Sequence, residues 1–353
     1  MAVYTTIDDP EAYFQAVEYT GNYTGGGSTQ DITLPGDTDM QPDFVWIKST
    51  KAEKHCLYDA VRGATKTLSA DSINAESTDA GFMTAFNSDG FSVGAANDTN
   101  ENATAIAAWC WKAGTTSGIT TDGDTTITPS SYSFNQTSGF SILRYTGNST
   151  DDARLAHGLG GAAEFLVCKE KDVAANNWAA WHSALGNNVM ALDDNPGAVA
   201  GNSRFSNNPP DAVNITLGSD NSTNRSGNML CYAFKGVQGF SKFGQYEGNG
   251  NADGPFVYTG FRPAYILIKN TEAAKNWQIY DNKRSGYNKD NDQLFANTTA
   301  AEDTAEDALD ILSNGFKLRV NSDPVNLSGD VMIYAAFAEA PFVNSNGVPC
   351  TAR

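Results

Sequence analysis

The side chains that could do chemistry are sparse and badly spaced for it. The three histidines, His55, His157 and His182, stand singly, with no pair at the spacing that holds a catalytic zinc. No nucleophile elbow and no phosphate-binding glycine loop occurs. His55 and His182 fall at related points of two sequence copies described below, while the third copy has no histidine there, which argues against a shared catalytic role. With 41 acidic residues, carboxylate pairs of the glycosidase kind arise by chance in any fold. The five cysteines, Cys56, Cys110, Cys168, Cys231 and Cys350, form no CxxC pair, and four sit in apolar runs, so they read as small buried thiols.

One segment has a metal-like spacing. Asn249-Gly250-Asn251-Ala252-Asp253-Gly254 imitates the first half of a calcium loop. It begins with Asn instead of Asp, and Gly260 stands where a bidentate glutamate belongs. Those departures favour an Asx-rich turn, with structural Ca²⁺ at Asn249, Asn251 and Asp253 as the alternative. No other cofactor is implied. Among the tryptophans, Trp46, Trp109 and Trp111 lie in apolar strands and read as core. Trp178, Trp181 and Trp277 have polar neighbours and are the candidates for an aromatic binding face, although packing is the better reading of each. The expected protein is not an enzyme.

These residues hang on a pattern stated three times. Phe44-Val45-Trp46-Ile47-Lys48, Phe165-Leu166-Val167-Cys168-Lys169 and Tyr265-Ile266-Leu267-Ile268-Lys269 are short apolar runs closed by lysine, as suits strands covered on both faces. Each follows a Tyr-x-Gly-Asn opening (Tyr19, Tyr145, Tyr246). Each precedes a closing strand: Ala107–Lys112, Leu230–Lys235 and Ile333–Glu339. Asp89-Gly90-Phe91 and Asn314-Gly315-Phe316 mark turns entering strands. A repeat of roughly a hundred residues suits whole sandwiches better than solenoid units.

The expected organisation is all-β: a docking segment 1–18, β-sandwich copies at 19–114, 139–238 and 239–343, a linker 115–138, and a tail 344–353. Asp9, Pro10 and Glu11 predict a short helix whose Ile7, Tyr13, Phe14 and Val17 are candidates for attachment to a larger particle. The acidic stretch 300–309 reads as a solvated loop or one short helix. A formal net charge of −18 disfavours nucleic-acid and anionic-lipid partners. No apolar run is long enough to span a membrane, and no signal peptide is evident, so synthesis in a cytoplasm is expected.

The opening Tyr4–Gln15, the block Asp43–Lys48, Asp59–Lys66, Ala108–Gly114, Gly244–Gly254 and the ending Phe337–Cys350 resemble marine bacteriophage virion proteins of the tail-fibre-like, cyanophage kind. The repeated unit resembles, more loosely, the concanavalin A-like (laminin-G-like) jelly roll. The resemblances imply three tandem jelly-roll sandwiches in a protein on the particle surface, on tail or capsid. They imply other virion proteins as partners, a homo-oligomer with the trimer preferred, and contact with a host surface glycan or protein. A purely structural decoration protein is the alternative, and a polysaccharide depolymerase a third reading. Copy two departs most, lacking the Asp-Gly-Phe turn and the Val61-Arg62-Gly63 segment.

Overall fold

The computed structural model describes residues 4–27, 29–201, 203–284, 287–288, 292–321 and 323–350. The chain is all-β, as the alternating apolar pattern requires, with antiparallel sheets and, among the described residues, only four-residue helices and 3-10 turns beside them. Each copy contributes one large and one small sheet. The large sheet of copy one runs Phe14–Thr20, Ala105–Trp111, Phe44–Ser49, Cys56–Asp59, Lys66–Ser69, Ser77–Thr78 in spatial order. Copy two repeats that order from Phe140–Thr146, and copy three repeats its first five strands from Ser241–Glu247.

The lysine-ended runs lie centrally and every residue of them, Phe44–Lys48, Phe165–Lys169 and Tyr265–Lys269, is buried. One face packs on the copy's own small sheet, through Val45, Ile47 and Cys110 in copy one and through Leu166, Cys168 and Cys231 in copy two. The other faces of all three large sheets meet in one aromatic core. Phe44 reaches Tyr232 of copy two at 4.4 Å between ring centroids, and Trp109 reaches Tyr265 of copy three at 5.4 Å. Phe234 of copy two meets Phe337 of copy three at 5.7 Å, so the aromatic contacts link every pair of copies. The irregular bulk of the third closing strand has a cause. Tyr334 faces its own small sheet beside Phe316, while Ala335 and Phe337 face the shared core.

The thrice-written Tyr-x-Gly-Asn motif is a clasp. The hydroxyls of Tyr19, Tyr145 and Tyr246 donate to the carbonyls of Thr99, Thr223 and Val325, next to the last residues of three short helices. Those last residues, Asn100, Asn224 and Asn326, are wholly buried, and each accepts from the backbone N–H of the motif's own asparagine at 2.8 Å. The glycine lets the two segments touch. A methyl on Gly147 would lie 2.1 Å from the Arg225 carbonyl oxygen, with 2.2 Å at both Gly21 and Gly248. Gly147→Ala is therefore expected to destabilise by about 1–3 kcal/mol, as overpacking does, read as a lower urea midpoint.

Several sequence expectations are corrected. Asp9 does accept from the Glu11 N–H and Pro10 does open a turn, but that turn is three residues of 3-10 helix. Phe14–Thr20 then continues as a strand, because its partner Ala105–Trp111 offers a full ladder along an apolar face. Ile7, Phe14 and Val17 are buried in the body, and Tyr13 packs edge-on against Phe240, so none of the four forms a separate docking surface. The stretch read as a linker carries the strand Ser131–Asn135, which extends the second large sheet, and Ile127 bridges Leu155. Cys168 and Cys231 are joined by a disulfide across paired strands, while Cys56 and Cys110 are the buried thiols expected. Of the two readings of the acidic stretch 300–309, the loop holds as far as Ala308, and Leu309 opens the strand Leu309–Leu312. No helix among the described residues is long and apolar enough to cross a membrane.

Candidate functional site

The polar and ionisable side chains gather at the seams where one copy meets the next. Three equivalent backbone bonds close the chain on itself: Glu76 N–H to Lys171 O at 2.6 Å, Ala198 N–H to Thr271 O at 2.6 Å, and Glu302 N–H to Thr50 O at 2.8 Å. Copy one thus meets two, two meets three, and three meets one. Side chains repeat the cycle. The indoles of Trp178 and Trp277 donate across seams to the carbonyls of Ser69 and Ala191, each at 2.9 Å, and His55 stands at the matching place against the Phe295 backbone.

A second ring of contacts lies closer to the axis. The Tyr232 hydroxyl donates to Asp59 at 2.8 Å, the Trp109 indole to Asp281 at 3.1 Å, and His182 meets the Tyr334 carbonyl at 3.2 Å. Pairing registers make Asp59, His182 and Asp281 equivalent, since they oppose Phe44, Phe165 and Tyr265. The presumed match of His55 with His182 is therefore wrong: His55 corresponds to Trp178 and Trp277. Two of the three positions are ion pairs. Arg62 binds Asp59 at 2.5 Å and Glu76 at 3.3 Å, and Arg284 binds Asp281 at 2.8 Å and Glu302 at 2.5 Å. Both arginine side chains are 1% exposed. Burial opposes their charge, but the neighbouring acidic groups together, the aspartate foremost, more than offset this and raise the pKa.

The repeated lysines complete the seams. Lys48 donates to the carbonyls of Ser49 and Lys51, Lys169 to Ile73 across a seam at 2.9 Å, and Lys269 to Asn195 across the next at 3.2 Å. Burial pushes Lys48 and Lys269 down to about 8 and lowers Lys169 as well. A lysine with so low a pKa is a competent nucleophile where a substrate can reach it. Here all three are wholly buried and point at carbonyls, so they cross-link backbone.

The histidines are used in the same way. Each keeps Nδ1 as an acceptor, for the Trp46 indole, the Leu159 N–H and the Ala184 N–H respectively. Burial lowers all three, His157 and His182 to about 4. An unfolded histidine titrates near 6.5, so between about 6.5 and 4 the unfolded chain binds more protons, and these imidazoles lose stability as pH falls. Asp71 and Asp193, raised by burial, act in the opposite sense. The contribution is isolated by difference: His182→Gln is expected to flatten the fall in urea midpoint between pH 6.5 and 4 relative to the parent chain.

The other candidates from sequence fare differently. Trp178 and Trp277 are seam residues, 0% and 1% exposed, and Trp181 is 6% exposed at the wall of a groove. Neither Trp178 nor Trp277 is an open aromatic face, because a polar neighbourhood in sequence became a hydrogen-bond acceptor in space. Asn249 and Asn251 form successive Asx turns, accepting from the N–H groups of Asn251 and Asp253, and Asp253 pairs with Lys317 at 2.7 Å. No cluster of three or more His, Cys, Asp or Glu able to hold a metal occurs among the described residues. Sequence reasoning missed the exposed aromatics Phe256 and Tyr258, both on one strand of a small sheet, with Lys242 over the Tyr258 ring at 5.3 Å. Their alternation about buried Val257 was the available signal.

A family profile described as a domain of unknown function, DUF7483, matches residues 9–341. No curated protein matches the chain, and no solved structure does.

Proposed function

Because the chain belongs to the DUF7483 family along nearly its whole length, we propose a role for the complete three-copy body: a tail-fibre-like structural protein of a phage virion. In this reading it is assembled in the host cytoplasm, attached to other virion proteins, and displayed where it contacts a host surface glycan or protein. It carries out no reaction. The observation that supports this is the closed cycle of seams. The groups best suited to acid–base or nucleophilic work are spent on structural bonds: His182, Lys169, Lys269 and the two Asp–Arg pairs make contacts across seams, and His55, His157 and Lys48 bond within their own copies. Such a body suits persistence outside a cell, and the resemblance to marine phage virion proteins supplies the setting.

The threefold repetition of seams favours one second reading, a decoration protein seated at a symmetric position on the capsid. A density map of the intact virion separates the two: density at the tail supports the first, density on the capsid shell the second, and absence from purified particles overturns both. A homotrimer is proposed on the resemblance and is read by light scattering of the purified chain. Incubation with host polysaccharide is expected to release no sugar.

A further inference from the structure

In copies one and three the small sheet has three strands. Met83–Asn87 and Leu309–Leu312 each pair with the strand entered through the Asp-Gly or Asn-Gly turn. Copy two lacks that turn, and its small sheet has two strands, Ala153–Ala156 and Asn214–Leu217. Where the third strand would lie runs an irregular segment containing Asn208-Pro209-Pro210. Neither proline can donate to a ladder, so this segment cannot become a strand. It touches the sheet through a Phe205–Leu217 bridge and an Asp211–Asn214 bond.

The omission leaves a groove of about 280 Å³ beside Trp181. Its equivalents in the other copies, Tyr58 and Tyr280, are sealed at 0% exposure. The groove is lined by the Trp181 indole, Asn187, Ser206, Asn208, Thr216 and a single carboxylate, Glu164. The Thr216 hydroxyl is buried without a hydrogen-bond partner, although the residue is only 1% exposed. The Trp181 N–H is already given to the Gly186 carbonyl at 2.8 Å, so the indole offers the groove apolar carbon. Asn208 and Ser206 are held by Asp152, at 2.7 and 2.8 Å, and so are fixed in place.

We propose that this groove of copy two binds one ring of a neutral saccharide. A pyranose presents a C–H face to an indole and hydroxyls to amides and alcohols, which is the mixture this lining provides. Among the described residues no cationic side chain lines the groove, and Glu164 repels carboxylated sugars. A peptide strand finds no run of free edge, because the sheet edge is already taken at both ends. This inference deepens the proposed glycan contact and rests on that reading.

The test uses the full chain labelled with 5-fluorotryptophan, its Trp181 resonance assigned with Trp181→Phe. Glucose, galactose, mannose and N-acetylglucosamine are titrated to tens of millimolar, with sialic acid as the acidic comparison. The expected result is a saturable shift of the Trp181 resonance with at least one neutral sugar. Ala162→Trp, at an exposed position on the groove wall, is expected to weaken that binding at least tenfold with the fold intact. No shift with any neutral sugar, a shift unchanged in Ala162→Trp, or preference for sialic acid overturns the inference. Adsorption of the unlabelled chain to host cells is measured alongside. A chain that adsorbs while Trp181 stays silent overturns the groove alone; one that binds sugar without adsorbing overturns host contact alone.

Discussion

Arg62→Leu is expected to destabilise the protein by about 3–5 kcal/mol, the usual result of removing one partner of a buried ion pair. Asp59 and its side chain are fully enclosed, so the orphaned carboxylate would keep only the Tyr232 hydroxyl and the Arg62-site backbone N–H as donors. Copy two shows how the position is managed without charge: His182 and Leu185 stand where Asp59 and Arg62 do, and His182 bonds across its seam. The double change Asp59→Asn with Arg62→Leu is therefore expected to lose clearly less stability than Arg62→Leu alone. Urea unfolding of these two, of Asp59→Asn alone and of the parent decides it through the double-mutant cycle. Equal losses would mean that the aspartate charge is not what the arginine answers.

Asn224→Ala should be comparably severe. Its Oδ1 accepts from Asn148 N–H at 2.8 Å, and its Nδ2 donates to the carbonyls of Thr150 at 2.7 Å and Gly218 at 2.8 Å. The site is closed to solvent, so alanine leaves buried backbone groups unpaired at about 1–3 kcal/mol each, and a total of at least about 3 kcal/mol is expected. Asn224→Asp is the sharper variant. It keeps the acceptor but cannot donate, so it should fail about as badly although the shape is unchanged. Thermal unfolding of both checks this, and an aspartate variant as stable as the parent would show that the donated bonds contribute little.

Much of this architecture was legible because the chain states it three times. The lysine-ended runs did mark strands buried on both faces, and the Asp-Gly and Asn-Gly steps did mark hairpins. What escaped was partnership. Nothing in residues 9–17 alone says that a strand partner lies about ninety positions on, so capping signals outweighed pairing. Spacing likewise could not place Cys168 opposite Cys231, since register is set by the sheet. The polar context of Trp178 and Trp277 resembled an exposed surface because the carbonyls that receive their N–H groups belong to another copy. Asn100, Asn224 and Asn326 recur shortly before each closing strand, and superposing the copies residue by residue would have exposed them.

The seams also explain why the copies differ. In a ring built from separate identical subunits, any substitution appears three times, and a harmful one is tripled with it. Joined in one polypeptide, the copies are free to diverge. Copy two gives up an ion pair and a strand, holds a disulfide, and opens a groove. Copy three turns Phe256 and Tyr258 outward. Covalent fusion thus converts a symmetric framework into three faces that selection can tune one at a time.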